Sequence, residues 1–214
     1  MQLIKSKNFD KFDKGPVVVA IGSFDGLHIG HKKIINKTIK LAKKNNIKSG
    51  VYSFSPHPLE VVAPERAPSF LISASQKTDI LKKLGVDYFF EQEFTNEFSN
   101  LRFENFVRDI LIKKLNISHI IVGNDFKFGK DQFGDTDKLK EISKKYNISV
   151  HALEVLKESN SKISSTYIRK LIREGDVAEV SKYLGRNYIL EGKVITGEKK
   201  KKKLGIPTAN IKLD

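Results

Sequence analysis

The chain has no cysteine. Disulfides, thiolate metal sites and cysteine nucleophiles are therefore excluded, and a reducing cytoplasm is the compartment that such a composition suits. No apolar run approaches the roughly 20 residues that a bilayer span needs. The opening MQLIKSKNFDKFDKG is polar and lacks the apolar core of a signal peptide. Arginine is scarce, with only six among 39 basic residues. Acidic residues number 25, which leaves a formal charge of +14. The lysines are spread along the chain among Asn and Ile, as on a solvated surface. A polyanion-binding surface and a site for small phosphorylated ligands are the competing explanations. Neither an internal repeat nor a low-complexity linker is present. What remains is a chain of 214 residues, 39% hydrophobic and 30% charged. That is enough for one full core, or for a domain and a half.

Apolar β-branched runs alternate with amphipathic stretches. GPVVVAIGSF (15–24), KSGVYSF (48–54), VDYFF (86–90), ISHIIVG (117–123) and ISVHALEVL (148–156) read as strands. Helices are expected over 30–46, 73–85, 100–116 and 135–147, with two short ones near 165–174 and 176–184. This alternation predicts an α/β fold with a parallel sheet and helices on both faces. Ligands of such sheets bind outside the carboxyl ends of the strands. The loops 22–30, 55–69, 124–134 and 157–166 are therefore the candidate site, and every unusual stretch of the sequence falls in one of them.

The first of these loops belongs to AIGSFDGLHIGH (20–31). Gly22 and Gly26 allow a tight turn, and Gly30 opens the next helix, whose free N–H groups and dipole attract an anion. His28 and His31, at i and i+3, can face the same spot and donate to phosphate oxygens. A metal site is the alternative, but only Asp25 is near enough in sequence to serve as a further ligand. A plain Gly-rich turn with two exposed histidines is a third reading. The last loop, within SKISSTYIRKLI (161–172), puts Ser164, Ser165 and Thr166 at a helix start with Arg169 one turn in. Alone that is a helix cap. Paired with the first loop it suggests two helix N-termini gripping one polyphosphate.

GSFDGLHIGH with ISSTYIR resembles the nucleotidyltransferase superfamily that carries an H-x-G-H signature. The longer pattern G-x-F-D-G-x-H-x-G-H resembles the FMN adenylyltransferase module of bacterial bifunctional riboflavin kinase/FAD synthetases. FSPHP (54–58), VGNDFKFG (122–129), and LGRNYILEGKVITG followed by LGIPTAN (204–210) are similar to further motifs of that family, in its order. The resemblance implies a Rossmann-like nucleotidyltransferase domain over 1–182, followed by an incomplete β-barrel segment over 183–214. It implies transfer of the AMP moiety of ATP to FMN, giving FAD and pyrophosphate, with Mg²⁺ arriving on ATP rather than at a protein-only metal site. His28, His31 and Arg169 would be catalytic. Gly22, Phe24, Asp25, Gly26, Ser164, Ser165 and Thr166 would join them around ATP. Phe54, Pro56, His57, Pro58, Asp125, Phe126 and Phe128 would line the flavin side. The partners expected are ATP and FMN, with no nucleic acid and no membrane; oligomeric state is not readable.

Other readings compete. Residues 28–31 spell HIGH, a signature of class I aminoacyl-tRNA synthetases, but FSPHP has no role there and there is no room for an anticodon-binding domain. Transferases acting on another phosphorylated substrate, and a non-enzymatic basic binding protein, are the remaining alternatives. The tail departs from the family. Lys199 to Lys203 stand where the family has a Gly-Arg pair, and they read as a solvated loop. Thr208 and Asn210 match residues that help place Mg-ATP in the kinase barrel. One or two strands cannot bury a core, so 186–214 is expected to be loosely packed, and FMN rather than riboflavin is the expected substrate.

Overall fold

The computed structural model describes residues 1–154, 156–158, 161–195 and 210–213. Six parallel strands form its main sheet: β1 (Gln2–Lys5), β2 (Val17–Ile21), β3 (Lys48–Ser55), β4 (Tyr88–Glu93), β5 (Ile117–Gly123) and β6 (Ser149–Leu153). Their order is β1-β4-β3-β2-β5-β6. The VVVAI run of β2 lies at the centre, with Val19 opposite Gly50 of β3 on one side and Ile120 of β5 on the other. Every residue of β2 is buried. A strand covered on both faces has no polar side to show, which is why its sequence does not alternate.

Successive side chains of β2 feed opposite layers. Val17, Val19 and Ile21 pack with Tyr52, Phe90, Leu111, Ile120 and Leu139. Ala20 packs with Ile35, Val51, Leu81 and Phe89. Helices α1 (Ile29–Lys44) and α3 (Ala74–Leu84) close this second side. On the first lies α5 (Phe103–Asn105), which follows α2 (Pro58–Val62) and α4 (Asn96–Ser99) in the chain and continues in π-type hydrogen bonding over Phe106–Lys114. It is joined by α6 (Thr136–Lys144). The last two helices, α7 (Ser165–Glu174) and α8 (Val177–Leu184), form a third cluster, in which Ile168, Leu171, Val180 and Leu184 bury Leu71.

All five expected strands are present, now labelled β2 to β6. β3 and β5 match their expected bounds to within a residue; β2 is shorter than 15–24, β4 is shifted two to three residues toward the carboxyl end, and β6 is shorter, ending at Leu153. The α/β architecture is as expected but has a sixth strand that the sequence did not announce. β1 is an edge strand that pairs only with β4, and Ile4 is its one buried side chain. So short an edge strand carries almost no hydrophobic pattern to read.

Two small antiparallel pairs complete the described structure: β7 (Lys157–Glu158) with β8 (Ser161–Lys162) before α7, and β9 (Gly192–Ile195) with β10 (Asn210–Leu213) beyond α8. The β9–β10 pair fits a partial barrel. All of β9 is exposed, Val194 at 68%. Its approach to the main body is tied by polar contacts, Gln76 Nε2 to Ile189 O at 3.2 Å and Ser73 Oγ to Glu191 at 2.7 Å. Asn210 begins β10, whereas Thr208 and the lysines 199–203 lie outside the described residues. Among the described residues no helix is long and apolar enough to cross a membrane.

Candidate active site at the carboxyl ends of the strands

Beyond Ile21 the chain leaves the sheet through Gly22 and Ser23 and reverses at Phe24, whose backbone is left-handed at φ 49°. A single 3-10 turn, Asp25–Leu27, leads into α1. Gly26 sits in that turn at φ +79°, and a Cβ there would lie 2.7 Å from Leu71 Cδ1. Only glycine satisfies both the dihedral and the space. Arg186 clamps the turn from outside, donating from Nη2 to Gly26 O at 2.8 Å and from Nη1 to Leu27 O at 3.4 Å. Gly26 thus shapes the loop without lining the cleft.

His28 is the N-cap of α1. Its Nδ1 accepts from the His31 backbone N–H at 3.3 Å, so a neutral His28 carries its proton on Nε2. The two imidazoles stack with centroids 3.6 Å apart and planes 20° from parallel, and the Phe24 ring stands edge-on to His31 at 5.3 Å. Gly30 makes room for this, since a Cβ there would lie 3.0 Å from His28 Cε1. His31 Nδ1 is buried and has no hydrogen-bond partner among the described residues. Burial, then the neighbouring His28 and then Lys77 push the His31 pKa well below its ordinary value. A neutral imidazole with an unanswered nitrogen, at a helix start, is poised for a polar ligand.

At the second helix start the three hydroxyls divide their work. Ser164 caps α7, its Oγ accepting from Tyr167 N at 3.2 Å. Ser165 Oγ donates to Asp25 O at 2.9 Å, tying α7 to the histidine loop. Thr166, in the first turn of α7, is exposed. The guanidinium of Arg169 is engaged within the protein: Nη2 pairs with Asp25 Oδ2, and Nε donates to Ser69 O at 2.7 Å. The Asp25 carboxylate also accepts from Leu71 N at 3.1 Å. Asp25 and Arg169, both expected around ATP, are therefore first of all partners of each other.

Two clefts open here. One of about 580 Å³ is lined by Phe24, Asp25, His28, His31, the 164–166 helix start and Arg169. The other, of about 740 Å³, is lined by Phe54, His57, Pro58, Asp125, Phe126 and Phe128. They share Gly22, Ser23, His57, Leu59, Asp125 and Phe126, so they meet end to end. His57 caps α2, its Nδ1 accepting from Leu59 N at 3.2 Å, and burial lowers its pKa. Pro56 is exposed and lines neither cleft. The larger cleft is aromatic: Phe126 stacks on Phe128 at 5.2 Å, Phe128 leans on Phe106 at 5.8 Å, and Phe98 stands edge-on to Phe106 at 6.0 Å.

Several site residues escaped the sequence reading. Phe94, Phe98 and Phe106 line the larger cleft. Arg66 and Arg173 line the smaller one. Lys77 of α3 lines neither cleft but donates to the carbonyl oxygen of Ser23, where the two meet, at 2.9 Å. Phe98 lies in the single turn of α4 and Phe106 at the start of the π-type segment, and the basic residues are three among 39; nothing local distinguishes them. Among the described residues, no group of three His, Asp or Glu could hold a metal ion.

Comparison with known proteins places this geometry. A family model described as FAD synthetase matches residues 10–167, and one described as riboflavin kinase matches residues 184–214. A bifunctional riboflavin kinase/FMN adenylyltransferase of Buchnera aphidicola subsp. Schizaphis graminum is 40% identical over all of this chain and 69% of its own length. An FAD synthetase of Listeria monocytogenes is 40% identical over 87% of this chain and 75% of its own. The bifunctional enzyme of Escherichia coli K12 is 32% identical over the whole chain and 68% of its own. A crystal structure described as a macrolide-efflux protein from Streptococcus pneumoniae shares the fold, with a TM-score of 0.84 and 28% identity over 99% of this chain and 69% of that one. The first matched region holds the histidine loop, all of the larger cleft and the Ser164–Thr166 start of the second helix, and it spans most of the chain; the chain belongs to the FAD synthetase family.

Proposed function

We propose that this protein is an ATP:FMN adenylyltransferase, forming FAD and pyrophosphate from ATP and FMN. The observation that carries the reading is the end-to-end meeting of a polar cleft, built on two helix N-termini, with an aromatic one. The first suits the triphosphate and adenosine; the second suits an isoalloxazine ring, which stacks on aromatic faces. The phosphates of the two substrates then face each other near Ser23, His57 and Asp125.

In the reaction, an oxygen of the FMN phosphate attacks the α-phosphorus of ATP in line. The new P–O bond forms as the bond from that phosphorus to the bridging oxygen of the β-phosphate breaks, and pyrophosphate leaves with the electron pair. No protein nucleophile is needed, so catalysis is positioning and charge stabilisation. His28 donates from Nε2, and His31 supplies its unanswered ring nitrogen as a partner once it carries a proton. The first N–H groups of α1 and α7 add donors without reorganisation. Arg169 and Asp25 hold α7 against the histidine loop. In this reading Mg²⁺ comes with ATP on phosphate and water oxygens, since the Asp25 carboxylate is already taken by Arg169 and Leu71.

The transferase part ends near 182/183, where Tyr183 and Leu184 finish the packing of α8 on α7. The remainder corresponds to the start of a riboflavin kinase barrel. The lysine-rich surface is solvated, with no nucleic acid or membrane partner. Incubation with Mg-ATP and FMN, followed by chromatography, tests the proposal: FAD and pyrophosphate should appear together. Absence of FAD, with amino-acid-dependent ATP–pyrophosphate exchange or adenylylation of another phosphorylated acceptor in its place, would overturn it.

A further inference from the structure

Lys77 is half-buried on α3 and, among the described residues, forms no close ion pair. A lysine amine rarely leaves water without a strong partner. Its Nζ is spent on one neutral acceptor, the carbonyl oxygen of Ser23, at 2.9 Å. The same oxygen accepts from Ser53 Oγ of β3 at 3.0 Å. Ser23 is one of the residues at which the two clefts meet. A carbonyl gripped by two donors from two different elements is fixed in direction. A trans peptide holds its N–H opposite its C=O, so fixing the Ser23 carbonyl also fixes the direction of the Phe24 N–H.

We propose that Lys77 is a positioning residue for adenylyl transfer, one that pins the Ser23–Phe24 peptide from behind and supplies buried positive charge under the phosphates from outside the clefts. The inference rests on the adenylyltransferase reading. The charge has two sides in the free protein. Burial lowers the Lys77 pKa, while Asp25 and Glu91 raise it. Lys77 in turn lowers the pKa of His31, along with His28, and of His57, which Asp25 and Glu60 raise and Arg169 lowers. Burial is the main reason that both histidines stay neutral, and the Lys77 cation adds to it in the same direction.

Lys77→Met and Lys77→Arg test this in the full chain, with three readouts: thermal unfolding, kcat and KM for each substrate, and the NMR titration of His31 without substrates. The Met variant should stay folded and lose roughly tenfold to a hundredfold in kcat, the range for a residue that orients a site without touching the reacting atoms. KM for ATP and FMN should change less than about threefold, and the His31 titration should move upward. Arg should restore the titration and part of kcat. A Met variant with kcat within about twofold of wild type overturns the proposal. So does an equal loss in both variants with lowered melting and an unmoved His31 titration, which would make Lys77 a packing residue. Failure of the wild type to make FAD would instead sink the adenylyltransferase reading, and the titration would still decide whether Lys77 acts on His31.

Discussion

Arg169→Ala should lower stability before it alters ATP use. The guanidinium and the Asp25 carboxylate are nearly out of water, with side-chain exposures of 15% and 7%. Without Arg169 the carboxylate keeps one backbone donor, Leu71 N. Stranding a buried charge in this way costs on the order of 3–5 kcal/mol; the residual exposure of Arg169 puts the loss near the low end, about 3 kcal/mol. For a chain of this size each kcal/mol is worth roughly 2–4 °C, so the melting temperature should fall by about 6–12 °C. The bond from Nε to Ser69 O is lost as well, freeing the segment beside the cleft.

A double-mutant cycle isolates the pair. Asp25→Ala leaves the guanidinium without its carboxylate, and the double variant removes both charges. The double variant should therefore lose less than the sum of the singles, with a coupling of about 2 kcal/mol. Circular dichroism melts and urea titrations of the four substrate-free proteins supply the numbers. One outcome refutes the reasoning. If Arg169→Ala melts within about 2 °C of wild type while KM for ATP rises strongly, the guanidinium serves the phosphates directly and its contact with Asp25 is incidental.

His31→Ala should lower turnover by about 10²-fold, the typical loss of one preorganised donor, with little change in melting because its Nδ1 has no hydrogen-bond partner among the described residues; FAD formation measured by chromatography is the check. Because burial holds the folded-state pKa of His31 below its ordinary 6.5, the unfolded chain takes up the proton first. The stability contributed by neutral His31 is therefore full above about pH 6.5 and declines as pH falls below it. Between pH 7 and 5 the melting temperature of wild type should drop further than that of His31→Gln; parallel drops would refute the assignment. Phe98→Ala should raise KM for FMN roughly tenfold, about 1.4 kcal/mol of lost aromatic contact, and leave KM for ATP unchanged in initial-rate assays.

Much of the fold is written in local signals. β2 and β5 are runs rich in β-branched residues; β3 and β5 lie within a residue of the expected bounds, while β2 is cut to Val17–Ile21 from the expected 15–24. Helix ends are legible wherever a cap is spelled out. Ser73 and Gln76 form a capping box at the start of α3, and Gly85 ends it in the left-handed conformation. Asp135 caps α6, and Gly175 ends α7. The apolar spacing of 100–116 predicts one amphipathic helix. Its bounds are tighter, and its hydrogen bonds over Phe106–Lys114 are of π type, a shift that apolar spacing does not encode.

The site was legible to the extent that its parts are contiguous. The histidine loop and the Ser-Ser-Thr helix start each carry their own backbone geometry, so a short quotation contains most of what they do. What couples them is not local. Asp25 and Arg169 are 144 residues apart, Ser165 reaches across 140 residues to Asp25 O, and Lys77 crosses 54 to Ser23 O. In sequence each of these is one charge or hydroxyl among many, and the burial that makes it matter exists only after the sheet has formed. The same holds for Arg169. An arginine one turn into a helix beside a phosphate site is chemically suited to bind phosphate, and Arg169 lines the smaller cleft. That its guanidinium also pairs with Asp25 from another loop is visible only in the fold. Charge type and helical position are properties of the segment; the partner of a buried charge is a property of the fold, and the Arg169→Ala experiment decides between the two roles.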